Sequence, residues 1–248
     1  MSGHSHWAGI KHKKAANDAK KGKVFSRLAK LVYIAVREGG SGNPDDNPRL
    51  RLIVDKCRLA NMPKDNWKRA IDKALDTSTG YTPMTFEAYG QGGAAVIIEC
   101  LTDNTNRTGP EIRNLVEKGG AKLAKEGAVS YLFQRKGVFA VNAEKATEDR
   151  LMEVALEAGA EDIVDQGDFF EVYTAPNDFA AVGEALAQAK IETEEAEVKL
   201  IAENSVEVGL NDARKLTNLI DKLDEHEDVQ NVYSNFDVSD EVAKQLEA

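Results

Sequence analysis

Apolar residues recur at helical spacing in the first part of the chain. Between residues 23 and 37 they stand three or four positions apart, at Phe25, Leu28, Val32, Ala35 and Val36. A stretch rich in Gly, Ser, Asn and Pro at residues 39–44 then breaks this periodicity. The pattern predicts an amphipathic helix that ends in a flexible connection.

Two more short helices are predicted before residue 76. Asn47-Pro48 has the form of a helix cap followed by a first-turn proline, and the second helix is predicted to run from there to about Ala60. One stripe of this helix is predicted to comprise Leu52, Ile53, Lys56 and Cys57. A third helix is predicted after Met62-Pro63, and its apolar stripe comprises Trp67, Ala70, Ile71 and Ala74. These stripes need partners, which predicts a three-helix bundle as an N-terminal domain of residues 1–78.

Beyond residues 76–83 the pattern changes to strands that alternate with helices. Strands are predicted at residues 94–101 and 129–133. Between them, Thr108-Gly109-Pro110-Glu111 matches a capping box that opens a helix, which Gly119-Gly120 closes. The glycines at residues 90–93 precede a strand rather than a helix, which favours a tight turn over a phosphate loop.

The order of elements from residue 137 to 203 is that of a ferredoxin-like fold. The predicted elements are a strand (138–141), a helix (147–158), two strands (162–165 and 169–174), a helix (176–189) and a strand (193–200). The remaining elements are a strand (205–208), a helix (211–224) and a strand (229–235), which need a sheet to join. We therefore predict an α+β fold: a helical bundle, a discontinuous α+β domain of residues 79–136 and 204–248, and a ferredoxin-like domain of residues 137–203 inserted into it.

Charge is distributed very unevenly along the chain. Residues 1–75 contain 17 Lys and Arg against 7 Asp and Glu, whereas residues 76–248 contain 15 against 35. A basic block on an acidic body attracts polyanions locally, so nucleic acid is the first partner to consider. The alternative is that these cations only solvate helix faces.

Other bulk features predict a cytoplasmic protein without a membrane segment. No apolar run approaches the roughly 20 residues that cross a bilayer, and the N-terminus does not have the pattern of a secretory signal. Cys57 and Cys100 are the only cysteines and form no C-x-x-C pair, which indicates buried or semi-buried thiols in a reducing compartment rather than a disulfide framework.

Signatures of catalysis are absent from the sequence. It has no Walker loop, no H-E-x-x-H and no G-x-S-x-G. His4, His6 and His12 have no cysteine or carboxylate companions that would suggest a metal site. The sequence therefore predicts a protein that is not an enzyme, with no catalytic residues, no metal and no cofactor.

The basic segment at the N-terminus carries the chemistry that nucleic acid requires. Lysines neutralise phosphates, and aromatic rings stack on unpaired bases. The predicted nucleic-acid-binding residues are His4, His6, Trp7, Lys11, His12, Lys13, Lys14, Lys20, Lys21, Lys23, Arg27, Lys30, Arg49 and Arg51. Packing against the bundle is the alternative role of Trp7, and an ordinary solvated face is the alternative for Arg49 and Arg51.

A second candidate contact follows the strand that ends near residue 101. Asn104, Asn106 and Arg107 lie where a strand leads into a helix, so they form a candidate phosphate-contacting loop. Simple turn formation is the alternative for these residues, because Asn and Asp favour turns.

Several of these segments resemble the YebC/PmpR family over essentially the whole chain. The motifs that carry the resemblance are residues 3–7 (GHSHW), 10–16 (IKHKKAA), 18–23 (DAKKGK), 47–51 (NPRLR), 61–66 (NMPKDN) and 103–108 (DNTNRT). The family usually has lysine at the position of His6, asparagine at Gly9 and often proline at Gln91. The resemblance implies an N-terminal helical domain, two α+β domains and non-catalytic control of gene expression.

Three functions stay open at this point. The family includes proteins described as DNA-binding transcriptional regulators and others described as ribosome-associated translation factors, among them a mitochondrial translational activator of cytochrome oxidase. The partner is accordingly DNA, or ribosomal RNA in the ribosome, with protein partners for the acidic domains. A scaffold that binds only proteins is the third alternative.

Overall fold

The computed structural model describes residues 21–76 and 80–247, with side chains placed for residues 24–76 and 80–246. Three helices form a helical unit at the start: α1 (Lys21–Gly39), α2 (Pro48–Leu59) and α3 (Lys64–Leu75). Their apolar stripes pack on one another around Val32, Leu50 and Trp67. The predicted bundle is confirmed, except that Leu52 is 54% exposed instead of lying in the stripe.

Asn47 fixes the connection between α1 and α2. Its side-chain oxygen accepts a hydrogen bond from the Leu50 amide at 3.0 Å, and its amide group donates to the carbonyl oxygens of Ala35 and Ser41. Pro48 occupies the first helical position. The predicted cap is confirmed, and it also ties the end of α1 to the start of α2.

The next elements form a four-stranded antiparallel sheet, sheet A. Its strands are β1 (Thr82–Tyr89), β2 (Ala95–Thr102), β3 (Lys122–Leu123) and β9 (Val229–Ser234), in the order β3-β1-β2-β9. Two helices, α4 (Thr105–Lys118) and α7 (Leu210–Glu225), cover the face that carries Val96 and Ile98. Residues 90–93 form the tight turn between β1 and β2, where Gly92 has a φ of 66° that favours glycine.

Helix α4 begins earlier than the sequence indicates. Its N-cap is Asn104, whose side chain accepts from the Arg107 amide, so Thr108 and Pro110 lie inside the helix. The predicted capping box at Thr108 is wrong because the Thr108 hydroxyl is used elsewhere: it bonds Thr102 and Asp228.

A second antiparallel sheet, sheet B, is formed by strands that lie in the chain between β3 and β9 of sheet A. Its strands are β4 (Phe133–Asn142), β5 (Ala160–Asp165), β6 (Phe169–Thr174) and β7 (Glu195–Ala202), in the order β5-β6-β4-β7. Helix α5 (Glu148–Leu151), extended by a wider turn at Met152–Leu156, and helix α6 (Phe179–Gln188) pack on one face. Gly137 of β4 lies so close to Thr174 and Phe179 that a Cβ atom there would clash with both.

Residues 129–132 form a turn, so of the predicted strand at 129–133 only Phe133 belongs to a strand. The buried carboxylate of Glu87 accepts hydrogen bonds from the backbone amides of Gly127, Val129 and Ser130. These bonds hold the segment as a loop. Burial raises the pKa of Glu87, but the hydrogen bonds from the amides outweigh it and lower this pKa below its usual value. The strand starts only at Phe133, so the predicted domain boundary at 136/137 falls within β4.

The remaining elements are two short strands and a C-terminal helix. The short strands β8 (Val206–Glu207) and β10 (Phe236–Asp237) pair in parallel, and helix α8 (Asp240–Glu247) follows. Helix α8 was not predicted from the sequence. The predicted class, an α+β fold with a helical bundle and a ferredoxin-like unit inserted in the chain of a second α+β unit, is confirmed by the strand order.

Candidate nucleic-acid interface

Much of the predicted interface lies outside the described residues. This group comprises His4, His6, Trp7, Lys11, His12, Lys13, Lys14 and Lys20, and the side chains of Lys21 and Lys23 lie outside it too. Their assignment to nucleic acid stays a prediction.

Arg27 of α1 bonds to Asp224 near the C-terminal end of α7. Its Nη2 atom lies 2.9 Å from Oδ1 of Asp224 and 3.2 Å from the Asp224 carbonyl oxygen. The last carbonyl groups of a helix carry partial negative charge, which favours a cation there. Arg27 therefore connects the helical unit to sheet A's cover helix.

Lys30 lies one turn further along α1 and is only 6% exposed. Its Nζ atom donates to the carbonyl oxygens of Leu101 at 2.9 Å and Glu227 at 2.8 Å, and it pairs with Oδ1 of Asp228 at 3.0 Å. All three donor positions of the ammonium group are used. The prediction that Lys30 contacts nucleic acid is corrected: its ammonium group is occupied by contacts within the chain.

Asp228 is the centre of this polar cluster. Besides Lys30, its carboxylate accepts bonds from Arg107 Nη2 at 2.7 Å, Thr108 Oγ1 at 2.7 Å and Thr102 Oγ1 at 3.2 Å. Burial by itself raises the pKa of Asp228, but the bonds from Arg107, Thr108 and Lys30 outweigh it and hold this pKa well below the usual range. The carboxylate is therefore ionised and fully occupied.

The candidate phosphate loop is part of the same cluster. The Arg107 guanidinium also lies 3.3 Å from Glu227, 3.5 Å from Asp103 and 4.0 Å from Glu111, so with Asp228 it faces four carboxylates. Asn104 caps α4, and Asn106 is exposed. These acidic neighbours repel a phosphate, and the geometry favours the turn-and-anchor role for Asn104 and Arg107.

Arg49 and Arg51 lie on the exposed start of α2. Arg49 pairs with Glu38, and Arg51 donates to the carbonyl oxygens of Pro44 at 3.1 Å and Asp45 at 2.9 Å. Exposed pairs of this kind are weak, contributing about 0–1 kcal/mol. Both guanidinium groups are thus accessible to a phosphate at small cost.

A groove runs between α1 and α3, and we call it the α1–α3 groove. Its cavity volume is about 500 Å³, which is in the range of ligand clefts. The side chains that line it are Phe25, Ser26, Ala29, Lys30, Tyr33, Met62, Asn66, Arg69, Ala70, Lys73 and Tyr81.

Aromatic rings and cations dominate this groove. Tyr33 and Tyr81 meet edge to face with centroids 5.0 Å apart, and Lys73 Nζ lies 4.2 Å from the Tyr81 centroid. Among the described residues that line it, none is acidic, although the whole protein has a formal net charge of −10. The groove is thus a cationic, aromatic site on an acidic molecule.

The groove was not predicted from the sequence, because the pattern of α3 indicates only a buried stripe. The stripe of Trp67, Ala70, Ile71 and Ala74 is indeed buried. The signal for the groove was the set of cations on the same helix, namely Lys64, Lys68, Arg69 and Lys73.

The described residues offer no grouping of three His, Cys, Asp or Glu side chains suited to a metal ion. Both cysteines are buried free thiols, as predicted. Burial raises the pKa of Cys57 to about 11 and that of Cys100 to about 12, so neither is a thiolate near neutral pH. Within residues 21–76 and 80–247, no helix combines the length and apolar character that a membrane crossing requires.

These features define a class: a mixed helix-and-sheet protein in which a helical unit with exposed cations is joined to one acidic α+β unit by the buried Lys30–Asp228 ion pair and to a second by a hydrogen bond from Lys56 to the Ala196 carbonyl oxygen. Sequence comparison makes the assignment specific. The profile of the TACO1/YebC N-terminal domain matches residues 5–77, and the profile of the TACO1/YebC second and third domain matches residues 81–236. The chain belongs to the TACO1/YebC family.

Relatives and a solved structure agree over the full length. The chain is 50% identical over 243 residues to a probable transcriptional regulatory protein of Desulfatibacillum aliphaticivorans, covering 97% of this chain and 98% of that protein. It is 48% identical over 251 residues to one of Corynebacterium diphtheriae, with complete coverage of both chains, 100% each. The crystal structure of a conserved hypothetical protein from Aquifex aeolicus superposes with a TM-score of 0.86 at 39% identity, covering 95% of this chain and 98% of that one.

Proposed function

We propose that this protein is a non-enzymatic regulator of gene expression that acts in the cytoplasm by binding nucleic acid through its helical unit and basic N-terminal segment. One observation carries the proposal: the exposed cations cluster on the helical unit of a protein that is otherwise strongly acidic. Such a patch binds a phosphate backbone while the acidic body stays out of contact.

The first target to test is DNA. It is supported by the names of the relatives, which are called probable transcriptional regulatory proteins. Arg49 and Arg51 at the start of α2 are suited to phosphate contacts, since they are accessible and lie where the helix dipole attracts anions.

The second target is RNA, as expected of a ribosome-associated translation factor. It is favoured by the aromatic lining of the α1–α3 groove, because duplex DNA presents no free base faces whereas folded RNA does. The exposed faces of α2 and α3 also carry Lys, Arg and Asp rather than the Asn or Gln pairs that read adenine in a major groove.

The experiment uses charge reversal in the basic segment. In the full chain, Lys11, Lys13 and Lys14 are changed to Glu, and binding to labelled duplex DNA, to ribosomal RNA and to ribosomes on gradients is measured at low and high salt. We expect binding to fall by at least about tenfold and its salt slope to flatten, because fewer counterions are released.

The matched control reverses three exposed lysines of the acidic body, Lys118, Lys125 and Lys215. This variant has the same change in net charge and is expected to bind almost as the wild type does. If both variants lose the same affinity for nucleic acid, the loss reflects net charge alone and not the basic segment. Undiminished binding by the variant with Lys11, Lys13 and Lys14 changed to Glu would overturn the proposal. Preference for promoter DNA over ribosomes, or the reverse, decides between the two targets.

A further inference from the structure

We propose that the α1–α3 groove holds one unpaired nucleotide of a single-stranded segment, with the base against the aromatic lining and the phosphate at Arg69 and Lys73. This inference rests on the proposed nucleic-acid function and assigns a specific subsite to it.

The lining fits a base. Phe25 and Tyr81, which are partly exposed, and the buried Tyr33 line a cavity of about 500 Å³, which is large enough for a single nucleotide. Tyr33 is buried and held edge-on to Tyr81, so these rings are already ordered before a ligand enters. A preordered aromatic surface binds a base without the entropy cost of ordering its side chains.

The charge fits the phosphate. Arg69 donates to the Asp65 carbonyl oxygen and to the Asn66 side chain, and among the described residues no carboxylate lies within ion-pair distance of it. Lys73 is in contact with Tyr81, with its Nζ 3.0 Å from the hydroxyl oxygen. The third cation of the groove, Lys30, is paired with Asp228.

The same geometry excludes paired bases. A base in a duplex is stacked and hydrogen-bonded, and only its edges reach the grooves, so it has no free face for the rings. A single strand, or an unpaired loop of a folded RNA, offers such a face. Single-stranded RNA and single-stranded DNA share this chemistry.

The test compares two neighbouring cations on α3. Arg69 lines the groove, whereas Lys68 is exposed outside it. In the full chain, Arg69→Glu and Lys68→Glu make the same change in charge on the same helix. The probes are a fluorescent oligouridine of about 12 nucleotides, the matching oligothymidine and an RNA duplex of the same length.

We expect Arg69→Glu to weaken binding of the single strands by about tenfold or more, and Lys68→Glu by less than about threefold. A second variant, Phe25→Leu, keeps an apolar side chain but removes the ring, and its affinity for single strands is expected to fall about fivefold or more while duplex binding is unchanged. Unchanged thermal unfolding shows that each variant is folded.

The outcomes separate the inference from the proposed function. If the wild type binds nucleic acid but Arg69→Glu and Lys68→Glu behave alike, or Phe25→Leu binds normally, the groove subsite is wrong and the function stands. If the wild type binds none of the probes and no duplex DNA, both fail. The ratio of oligouridine to oligothymidine affinity then shows which single strand the groove accepts.

Discussion

Lys30 and Asp228 are 198 positions apart in the chain, yet they form a buried ion pair with Nζ 3.0 Å from Oδ1. Their side chains are 7% and 3% exposed. The pair joins α1 of the helical unit to the start of β9, and the same carboxylate anchors α4 through Arg107 and Thr108. One side chain thus links three parts of the fold.

Replacement of Lys30 by Ala is expected to destabilise the protein strongly. It leaves a buried carboxylate without one of its two cations and two carbonyl oxygens without their donor. Loss of one partner of a buried pair costs about 3 kcal/mol or more. Urea unfolding followed by circular dichroism measures this cost as a fall in the free energy of unfolding.

The control for Lys30→Ala is Arg49→Ala, which breaks the exposed pair with Glu38. It is expected to cost less than about 1 kcal/mol. A loss in Lys30→Ala as small as that of the control would show that the Lys30–Asp228 contact does not hold the units together.

The variant Asp228→Asn is expected to change the response to acid. The pKa of Asp228 is lowered by folding, so its contribution to stability is complete above the unfolded-state pKa of about 4 and is lost as the pH falls below it. We expect this variant to be less stable than the wild type by about 3 kcal/mol at pH 7, and the gap to narrow towards pH 3. Unfolding measured at several pH values between about 3 and 7 checks this. A gap that stays constant with pH would contradict the ionised, multiply bonded carboxylate.

Thr108→Val tests the hydroxyl that the sequence pattern assigns to a helix cap. Valine has nearly the same shape but cannot donate to Asp228 or bond Thr102. The expected cost is about 1–3 kcal/mol because buried polar partners lose a bond. Thr105→Val on the exposed first turn of the same helix is the control, and it is expected to stay within about 0.5 kcal/mol of the wild type. Thermal unfolding of both variants decides between the buried role and a capping role.

A second charged cluster lies on β7, where the helical unit meets sheet B. Burial and the neighbouring Glu195 raise the pKa of Glu197 to about 7, while Lys199 and Lys56 oppose the shift. Lys56 of α2 also donates to the carbonyl oxygen of Ala196. Ionisation of Glu197 therefore works against the folded state.

Glu197→Gln is expected to stabilise the protein at alkaline pH. A carboxyl whose pKa is raised by folding loses stability as the pH rises from about 4 towards 7, and above that the loss is complete. The glutamine variant lacks this loss, so it should be more stable by on the order of 2 kcal/mol at pH 8 and similar to the wild type near pH 4. Melting temperatures across this range measure it, with the exposed Glu184→Gln as control. A variant that is less stable at pH 8 would contradict the raised pKa of Glu197.

Much of the fold was predictable because local patterns decide it. The stripe of Trp67 and Ile71, the cap at Asn47 and the strand–helix order of residues 137–203 depend on residues close in the chain, and the structure confirms them. The residues of the basic N-terminal segment remain predicted contacts, since they lie outside the described part of the chain.

The failures have a common physical cause, which is contact between distant residues. Residues 129–133 have the composition of a strand, but Glu87 captures their amides from about 40 positions away. Lys30 has the spacing of a solvated face, but Asp228 binds it across the fold. Thr108 has the setting of a cap, but its hydroxyl turns to the same carboxylate. In each case the bonding partner lies far away in the sequence, so the local sequence pattern does not indicate it.

The two ends of the inserted unit, near residues 133 and 202, lie side by side. The amide of Glu203 donates to the carbonyl oxygen of Leu132 at 2.9 Å, and Phe133 of β4 stands opposite Ala202 of β7. The strands β4 and β7, which begin and end the inserted unit, are thus neighbours. A short turn that replaced the unit would not alter the strand order of sheet A. The insertion point therefore lets the unit be replaced by another domain whose termini lie as close together.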